Sequence, residues 1–430
     1  MQNRSSETPH TELRLPAKRR LVRRRHAVVY TCLRPFFRLV LRWKYGYRGF
    51  RFQGETRGQP YLVLANHNGA IDPFMMAVSF RRPIYFVASD HIFRLGWVSR
   101  LIRWLVAPIP IVKSMIDTRS IRDILTVLRE GGTVGLFPSG NRSFTGSEMP
   151  IPRSTAKLVK HVRVPVVLYR YDHGYLATPR WSRYSRKGRV TGRVVRVLEP
   201  DAIAAMSPEA IQALLAETLQ GEPVTGRPAV RFRGRRLAEY LERVLFVCPA
   251  CLGLDTLRSR DDLFTCPCGF ESRYREDGRL ETLSSGTPRA DGTSLPVLPD
   301  VDAFDRFQQA HLARLVRDPK DRAFRMEHPY FSDDDQKLVR TERAIRSTDV
   351  HRGTLRLFAD RLVFESPESS RVFPIATLGD VHVHGPQTLQ FHDHTEDAVY
   401  EVRSNRPRSA YKYMLAITAL RTPDPTPTET

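Results

Sequence analysis

The stretch Tyr61–Phe74 (YLVLANHNGAIDPF) constrains the fold of this chain more than any other part of it. Five apolar or small residues in a row, Tyr61–Ala65, predict a strand buried on both faces, as in a parallel sheet. Asp72 followed by Pro73 predicts a helix N-cap with proline at the first helical position. His67 is therefore expected at the carboxyl end of a strand, where open α/β sheets bind their ligands.

The pair His67 and Asp72 suits general-base chemistry. The imidazole takes a proton from an attacking hydroxyl, while the carboxylate holds the other ring nitrogen and stabilises the imidazolium that forms. No serine or cysteine nucleophile is needed when the hydroxyl of an acceptor molecule attacks. A loop histidine beside an ordinary helix cap explains the same two residues, because one spacing carries little information.

Further strand and helix patterns follow this stretch. Short apolar runs predict four more strands, at Ile84–Ala88, Pro108–Lys113, Thr133–Phe137 and Val164–Tyr169. Helices are expected at Phe93–Val106 and Thr118–Glu130, the second closed by Gly131 and Gly132. The alternation predicts an α/β domain over residues 45–222, with a mainly parallel sheet flanked by helices.

The segment Phe137–Ser143 (FPSGNRS) follows one of these strands and has the residues of a phosphate site. Gly140 permits close approach of the backbone, and Arg142 offers two parallel hydrogen bonds to a phosphate. The strand ending at Lys113 brings a further cation to the same edge of the sheet as His67.

The charge of the chain is strongly positive and unevenly distributed. The formal net charge is +22 and the pI is about 10.2, which favours a polyanionic partner, either nucleic acid or an anionic membrane. Residues 1–50 contain thirteen Lys or Arg against two Glu, so they carry half of the excess. This concentration predicts a basic arm instead of a uniformly basic surface.

Residues 1–44 are predicted to form this arm and an amphipathic helix. Arg34, Arg38 and Arg42 recur every four residues, which places them in one stripe beside apolar side chains. Each basic group near an anionic leaflet contributes about 1 kcal/mol. Because the chain lacks an uncharged apolar run of about 18 residues, we expect a peripheral or monotopic protein at the cytoplasmic face of a membrane. A basic helix packed on the protein's own core explains the pattern as well.

Four sequence blocks, NHNGAID, PIPIVK, FPSGNRS and VPVVLY, occur in this order. Together they resemble the four blocks of the glycerolipid acyltransferase family, whose best-known members acylate lysophosphatidic acid or glycerol-3-phosphate. The resemblance covers about residues 45–220. It implies that His67 and Asp72 are catalytic, and that Gly140, Arg142 and Lys113 bind phosphate, although the family usually has arginine at the last position.

The third block departs from the family pattern, which usually reads Phe-Pro-Glu-Gly-Thr-Arg. Ser139 and Asn141 stand where the family has glutamate and threonine. Family models give that glutamate a role in holding the acceptor. The resemblance therefore implies a substrate-binding set of Lys113, Ser139, Gly140, Asn141 and Arg142 with an uncertain acceptor.

The resemblance implies acyl transfer from a thioester, on coenzyme A or acyl carrier protein, to the hydroxyl of a phosphate-bearing lysolipid in phospholipid biosynthesis. Another lysolipid or a glycolipid hydroxyl is the alternative acceptor. A catalytically silent scaffold at the membrane is the alternative from another class. Backbone amides near Gly69 or Gly140 are candidate donors to the oxyanion.

The segment Tyr169–Arg193 interleaves basic and aromatic residues. Such a composition suits stacking on nucleic-acid bases, binding the adenine nucleotide of the coenzyme, or contact with a membrane interface. An exposed hairpin explains it too. Because the chain has no motif of an RNA-binding module, we favour the lipid partner over nucleic acid.

Four of the five cysteines occur as two close pairs, CPAC and CPCG, separated by fourteen residues. Paired thiolates on tight turns are the ligands of tetrahedral zinc, so Cys248, Cys251, Cys266 and Cys268 predict one structural zinc ion in a zinc ribbon over residues 236–282. Disulfides are the alternative, which is disfavoured because a coenzyme-using enzyme works in a reducing compartment.

The rest of the chain is predicted to form a second β-rich domain. Residues 283–300 have linker composition. Short alternating runs and a closing helix at Arg408–Arg421 are similar to a pleckstrin-homology-like α+β domain over residues 301–421. Residues 422–430 are expected to be a disordered Pro/Thr tail.

Overall fold

The structure, a computed structural model, describes six segments of the chain. These are residues 20–89, 97–111, 118–220, 230–287, 293–341 and 350–421. The predictions for the first nineteen residues, for Lys113 and for the Pro/Thr tail lie outside the described residues.

The first domain is built on a seven-stranded sheet. Its strands are β1 (Tyr47–Gly49), β2 (Leu62–Ala65), β3 (Ile84–Ser89), β4 (Ile109–Ile111), β5 (Thr133–Leu136), β6 (Val166–Asp172) and β7 (Val190–Leu198). The strand order is β1-β7-β6-β2-β5-β3-β4. Every neighbouring pair is parallel except β6 and β7. The predicted mainly parallel α/β sheet is confirmed.

Helices cover both faces of this sheet. They are α1 (Arg24–Tyr45), α2 (Asp72–Ala77), α3 (Trp97–Val106), α4 (Thr118–Arg129), α5 (Arg153–His161), α6 (Gly174–Ala177), α7 (Pro200–Ala205) and α8 (Pro208–Leu219). Side chains of the central strand β2 alternate between two hydrophobic clusters, with Val63 and Ala65 in one and Leu62 and Leu64 in the other. All four are fully buried, as a strand covered on two faces requires.

The basic stripe of α1 contacts the protein itself. Arg34 donates a hydrogen bond to the carbonyl of Phe80 at 2.9 Å, and Arg38 donates to the carbonyl of Val78 at 3.1 Å. Val78 is the C-cap of α2, and cations are stabilised at the C-terminal end of a helix. Two of the three arginines therefore anchor α1 to the domain.

The second half of the chain contains two antiparallel sheets. The smaller one has β8 (Arg258–Arg260), β9 (Leu263–Thr265), β10 (Phe270–Tyr274) and β11 (Leu280–Ser285). The larger one has β12 (Phe331–Thr341), β13 (Val350–Leu357), β14 (Arg361–Glu365), β15 (Ser370–Pro374), β16 (Leu378–His384), β17 (Thr388–Asp393) and β18 (Ala398–Ser404). The helices are α9 (Val301–Arg317), α10 (Pro319–Phe324) and α11 (Ala410–Arg421). The predicted β-rich C-terminal domain is present.

The basic and aromatic segment after β6 is largely buried. Trp181 is fully buried, and Arg180 and Arg186 are 4% and 2% exposed. The guanidinium of Arg186 lies over the rings of Trp181 and Tyr274, at 5.1 and 4.6 Å from their centroids. These side chains form cation–π contacts within the core. These three side chains are therefore not available to stack on bases or on a coenzyme, whereas Arg183, Lys187 and Arg189 of the same segment are exposed.

A buried lysine joins the smaller sheet region to the C-terminal domain. Lys412, on α11, is 1% exposed, and its ammonium pairs with Asp333 at 2.8 Å and also with Asp255. Asp333 is 4% exposed and has a second cation, Arg408, at 3.4 Å. Breaking a buried ion pair from one side is costly, because a charge is left without its partner.

We expect Lys412→Met to lower the free energy of unfolding by about 3 kcal/mol, because it leaves Asp333 with one cation and Asp255 without its lysine. Urea unfolding measures this change. Lys320→Met, at an exposed position of α10, is the matched control. Equal midpoints for the two variants would contradict the prediction.

Candidate active site

His67 and Asp72 meet in the loop between β2 and α2. Nδ1 of His67 lies 2.9 Å from Oδ2 of Asp72. The carboxylate side chain is 1% exposed, whereas the imidazole is 18% exposed. Asp72 is thus buried, whereas solvent reaches the ring of His67.

Asp72 is not the N-cap that the sequence predicts. The helix begins at Asp72, its N-cap is Ile71, and no side chain caps it. Oδ2 of Asp72 instead accepts hydrogen bonds from the backbone amides of Asn68 at 2.7 Å and Gly69 at 2.8 Å. The amides that a capping Asp72 would bind, those of Phe74 and Met75, instead donate to the carbonyl of Ile71 at 3.0 Å. The loop amides and the imidazole occupy the carboxylate.

This geometry sets the tautomer of the histidine. A carboxylate only accepts hydrogen bonds, so Nδ1 carries the proton and the lone pair of the neutral ring is on Nε2. The imidazole also stacks on Phe137, with ring centroids 4.3 Å apart and planes inclined by 21°. The ring is therefore held from one edge and one face, with Nε2 as its proton acceptor.

The loop is fixed to the neighbouring strand β6. The side-chain amide of Asn66 exchanges two hydrogen bonds with the backbone of Tyr171, at 3.0 and 2.8 Å. The hydroxyl of Tyr171 donates to the carbonyl of Asp72 at 2.6 Å. Asn66 is 2% exposed and Tyr171 is 1% exposed, so water does not compete for these bonds.

The loop Phe137–Ser143 lies against the histidine loop. The amide of Ser143 donates to the carbonyl of His67 at 3.0 Å. Burial lowers the pKa of the Arg142 guanidinium from its ordinary value, and the negative charge of Asp72 opposes this shift. Arg142 thus lies within electrostatic reach of Asp72 and its histidine partner.

Gly140 allows the tight turn in this loop. Its φ of +65° is in the left-handed region that favours glycine, and a Cβ there would meet no atom within 4 Å. The amide of Gly140 donates to the carbonyl of Phe137 at 3.0 Å, while the amide of Gly69 is bonded to Asp72. Each of these two amides already has a hydrogen-bond partner, so the prediction that they bind an oxyanion is wrong for Gly69 and Gly140.

Glu148 is a further acidic residue of the site, and the sequence reasoning missed it. Its carboxylate oxygens lie 3.3 and 3.4 Å from the backbone nitrogen of His67. Burial raises the pKa of Glu148 to about 8, with a smaller upward contribution from Asp72, against hydrogen bonds from Ser139 and His67. No motif singles out this glutamate, because its position depends on how the chain after Ser143 folds back.

The two unusual positions of the third block face inward. Ser139 is 9% exposed, and its hydroxyl donates to the carbonyl of Asn141 at 3.2 Å. The same hydroxyl lies near Glu148 and acts to lower the pKa of that carboxyl. Ser139 is thus part of a small polar network on the side of Arg142.

The C-terminal domain contacts the loop of Arg142 through Arg180. This guanidinium donates to the carbonyl of Arg142 at 2.8 Å, to the carbonyl of Gly385 at 2.8 Å and to the carbonyl of Val383. It also lies 3.8 Å from the ring centroid of Phe144. The C-terminal domain is thereby connected to the loop that carries Arg142.

Phe144 strengthens this connection. It is 2% exposed and belongs to the same hydrophobic cluster as the cysteine region and the C-terminal sheet. Its ring stacks on Tyr411 of α11, with centroids 4.3 Å apart. The hydroxyl of Thr145 next to it donates to Asp302 of α9 at 3.1 Å.

The four paired cysteines converge. Their sulfur atoms all lie within 4.8 Å of one another, with Cys248 and Cys268 at 3.6 Å and Cys251 and Cys266 at 3.8 Å. All four are free thiols, so the disulfide alternative is not what the structure shows. Zinc bound tetrahedrally to sulfur at about 2.3 Å places its ligands about 3.8 Å apart, which the separations of 3.6 and 3.8 Å match.

Backbone amides are directed at these sulfur atoms. Burial raises the pKa of the Cys248 thiol, while hydrogen bonds from the amides of Cys251 and Ala250 lower it. The amides of Cys268 and Phe270 do the same for Cys266 and Cys268. Such amides favour thiolates, the form that a metal ion binds.

Comparison with known proteins gives the class of the first domain. Residues 50–171 match the Acyltransferase family model. The chain is 22% identical over 136 residues to the 1-acyl-sn-glycerol-3-phosphate acyltransferase of Bacillus subtilis (strain 168), covering 31% of this chain and 67% of that protein. It is 29% identical over 194 residues to 1-acyl-sn-glycerol-3-phosphate acyltransferase alpha of Mus musculus, covering 41% of this chain and 63% of the mouse protein.

A solved structure is also similar. The crystal structure of the 1-acyl-sn-glycerophosphate (LPA) acyltransferase PlsC from Thermotoga maritima aligns at 19% identity and a TM-score of 0.39, covering 45% of this chain and 78% of that one. The match to the mouse protein spans less than two thirds of its length. Each of these similarities concerns only part of this chain.

Proposed function

We propose that this protein transfers a fatty acyl group from a thioester, on coenzyme A or acyl carrier protein, to the hydroxyl of a phosphate-bearing glycerolipid of the 1-acylglycerol-3-phosphate type. The observation that carries the proposal is the His67–Asp72 pair, at 2.9 Å, beside the loop of Arg142. The match of residues 50–171 to the Acyltransferase family supports it. The reaction belongs to phospholipid biosynthesis.

His67 is the general base of this reaction. Nε2 removes the proton from the acceptor hydroxyl as its oxygen attacks the thioester carbonyl, and the new C–O bond forms. The C–S bond then breaks, and the imidazolium returns its proton to the leaving thiolate. Asp72 keeps the ring oriented and stabilises its positive charge meanwhile.

Arg142 binds the acceptor's phosphate and so directs the hydroxyl toward His67. A guanidinium matches phosphate with two parallel hydrogen bonds, and partial burial strengthens them. Gly140 and Asn141 shape the same loop, and Lys113, outside the described residues, is the expected second cation. Such positioning supplies much of the rate enhancement in a reaction between two bound substrates.

A purified-protein assay tests the proposal. The full chain is incubated with an acyl-coenzyme A and a panel of lysolipids, including 1-acylglycerol 3-phosphate, and released thiol is measured. Release that depends on the acceptor and on His67 supports acyl transfer, and the preferred lysolipid identifies the acceptor. Equal rates for wild type and His67→Ala would favour a catalytically silent scaffold.

We also propose that the protein works as a peripheral protein on an anionic membrane surface, at its cytoplasmic face. The outward side of α1 is apolar, with Phe36, Leu39 and Trp43 59%, 68% and 72% exposed. The neighbouring helix α3 adds Trp97 and Trp104 at 68% and 52%. Within the described residues, every helix is too short or too polar to span a bilayer. Exposed apolar and aromatic side chains flanked by basic residues suit the interface.

We expect Leu39→Ser combined with Trp43→Ser to weaken binding to anionic vesicles at least tenfold, because about 25 cal/mol is lost for each Å² of apolar surface no longer buried in lipid. Vesicle co-sedimentation measures this. Phe324→Ser removes an exposed aromatic side chain, 52% exposed, from the C-terminal domain and is the control. Binding unchanged in the double variant would contradict the orientation of α1.

Finally, we propose that Cys248, Cys251, Cys266 and Cys268 hold one structural zinc ion in a zinc ribbon. Four thiolates complete a tetrahedral shell and leave no position for a substrate, so the metal has no part in the transfer. The pleckstrin-homology-like character of the C-terminal domain remains a proposal. Its antiparallel seven-stranded sheet closed by α11 supports it.

A further inference from the structure

Glu148 lies inside the active site, and the mechanism above does not use it. It contacts the backbone of His67 through both carboxylate oxygens, and the nearby hydroxyl of Ser139 acts to lower the pKa of its carboxyl. The charge of Asp72 acts on it too. Glu148 is thus in contact with both loops of the site, the one with the catalytic pair and the one with Arg142.

The residue near Glu148 in the other loop is Ser139, the position at which this chain departs from the family pattern. Ser139 stands where related sequences are expected to have glutamate, and its short side chain cannot replace a carboxyl group. Glu148 reaches the hydroxyl of Ser139 from nine positions further along the chain. A carboxyl group therefore lies beside position 139, although it comes from another part of the loop.

We propose that Glu148 is the acidic acceptor-binding residue of this site, which hydrogen-bonds the phosphate-bearing acceptor while Arg142 binds its phosphate and the reacting hydroxyl is left to His67. This inference rests on the proposed acyl transfer, because the acceptor is a substrate of that reaction. It assigns the role expected of position 139 to a residue that no sequence block contains.

The protonation state of Glu148 suits an anionic acceptor. With its pKa raised by burial to about 8, the carboxyl is mostly neutral at pH 7, so it does not repel a phosphate and has an O–H to donate. The groups that act on it are His67 and Asp72 from one loop and Ser139 from the other. Above about pH 8 the ionised carboxylate repels the phosphate, and the KM for the acceptor rises.

Folding gives a measure of this protonation that does not need activity. The pKa in the folded protein is above the ordinary value of 4.5, so the folded state holds a proton that the unfolded state releases. Glu148 therefore contributes stability at low pH that is lost as the pH rises toward about 8. Relative to Glu148→Gln, wild type becomes less stable across this range.

Two substitutions test the role in binding. Glu148→Gln resembles the neutral acid and keeps a partner for the amide of His67, so we expect a KM for the acceptor close to that of wild type at pH 7 and no rise at alkaline pH. Glu148→Ala removes the hydrogen bond, and we expect the KM to increase about tenfold with a smaller change in kcat. A purely structural role would not move the alkaline limb of the KM profile.

A swap of positions provides a stricter test. Ser139→Glu alone places two carboxyl groups side by side, so we expect weaker acceptor binding than in wild type. Ser139→Glu with Glu148→Ser restores a single carboxyl at the same place, so we expect the double variant to recover part of the loss. Additive losses in the double variant would contradict a shared role.

The measurements use the full chain, an acyl-coenzyme A and 1-acylglycerol 3-phosphate between about pH 6 and pH 9. Glu217→Gln, an exposed glutamate on α8, is the charge-matched control. A wild-type KM in Glu148→Ala, or an alkaline rise that persists in Glu148→Gln, overturns the inference.

Calorimetric binding of glycerol 3-phosphate separates this inference from the proposed reaction. In one outcome, wild type binds this probe, Glu148→Ala binds it more weakly, and no thiol is released. This outcome supports the acceptor site and contradicts acyl transfer. If wild type transfers the acyl group and Glu148→Ala keeps wild-type KM and binding, the reaction stands and the role of Glu148 is wrong. A wild type that neither binds nor reacts overturns both.

Discussion

We expect His67→Ala to lower the rate of acceptor-dependent thiol release by about 10²–10⁴-fold, the usual contribution of a general base. The reason is that Nε2 of His67 is oriented by Asp72 at 2.9 Å and by the ring of Phe137. The KM for the acceptor is expected to change little, because Arg142 and Glu148 remain. Steady-state kinetics at neutral pH measure both parameters.

The control for this prediction is His161→Ala, which removes an exposed histidine at the end of α5. It is expected to have wild-type kinetics. Thermal unfolding checks that His67→Ala remains folded, since Asp72 keeps its hydrogen bonds from Asn68 and Gly69. A loss of less than tenfold in a folded variant would rule out His67 as the base.

The second large effect is expected on stability. Structural zinc in small domains contributes about 10–16 kcal/mol of binding free energy, which is as large as the whole stability of most domains, about 5–15 kcal/mol. Cys248 is fully buried and Cys266 is 7% exposed, and both belong to the hydrophobic cluster of the C-terminal domain. We therefore expect Cys248→Ser or removal of zinc by a chelator to unfold this part of the protein.

Elemental analysis of the purified chain should give one zinc ion per molecule, and Cys248→Ser should lose it together with the cooperative unfolding transition of the second half. Cys32→Ser is the matched control, because Cys32 is exposed on α1 and far in sequence from the cluster. Wild-type stability in a zinc-free Cys248→Ser variant would show that the four thiols are not a structural metal site.

The central strand of the first domain and the loop after it were predictable, because neighbouring residues in the sequence determine them. The run Tyr61–Ala65 is apolar at every position, which is how a strand covered on both faces must be built, and the loop after it places His67 and Asp72 within reach. The cysteine pairs were predictable for the same reason. Two short turns contain all four sulfur atoms.

Other features depend on contacts between distant parts of the chain. Periodicity showed that Arg34 and Arg38 share one side of α1, but not that carbonyls at the end of α2 lie opposite them. Strand β12 was missed because its sequence, FSDDDQKLVRT, is polar, and its buried Asp333 is balanced by Lys412 from α11. The contact between Glu148 and His67 likewise depends on how the loop of Glu148 folds back onto His67.

The contacts of Arg180 and Phe144 have a consequence for fragments of this chain. A fragment that ends after α8 would lack Val383, Gly385 and Tyr411, so a buried guanidinium would lose two of its acceptors and an aromatic ring would be exposed to water. The damage would appear at the loop that carries Arg142. Inactivity of such a truncated protein would therefore say nothing against transferase chemistry in the intact chain.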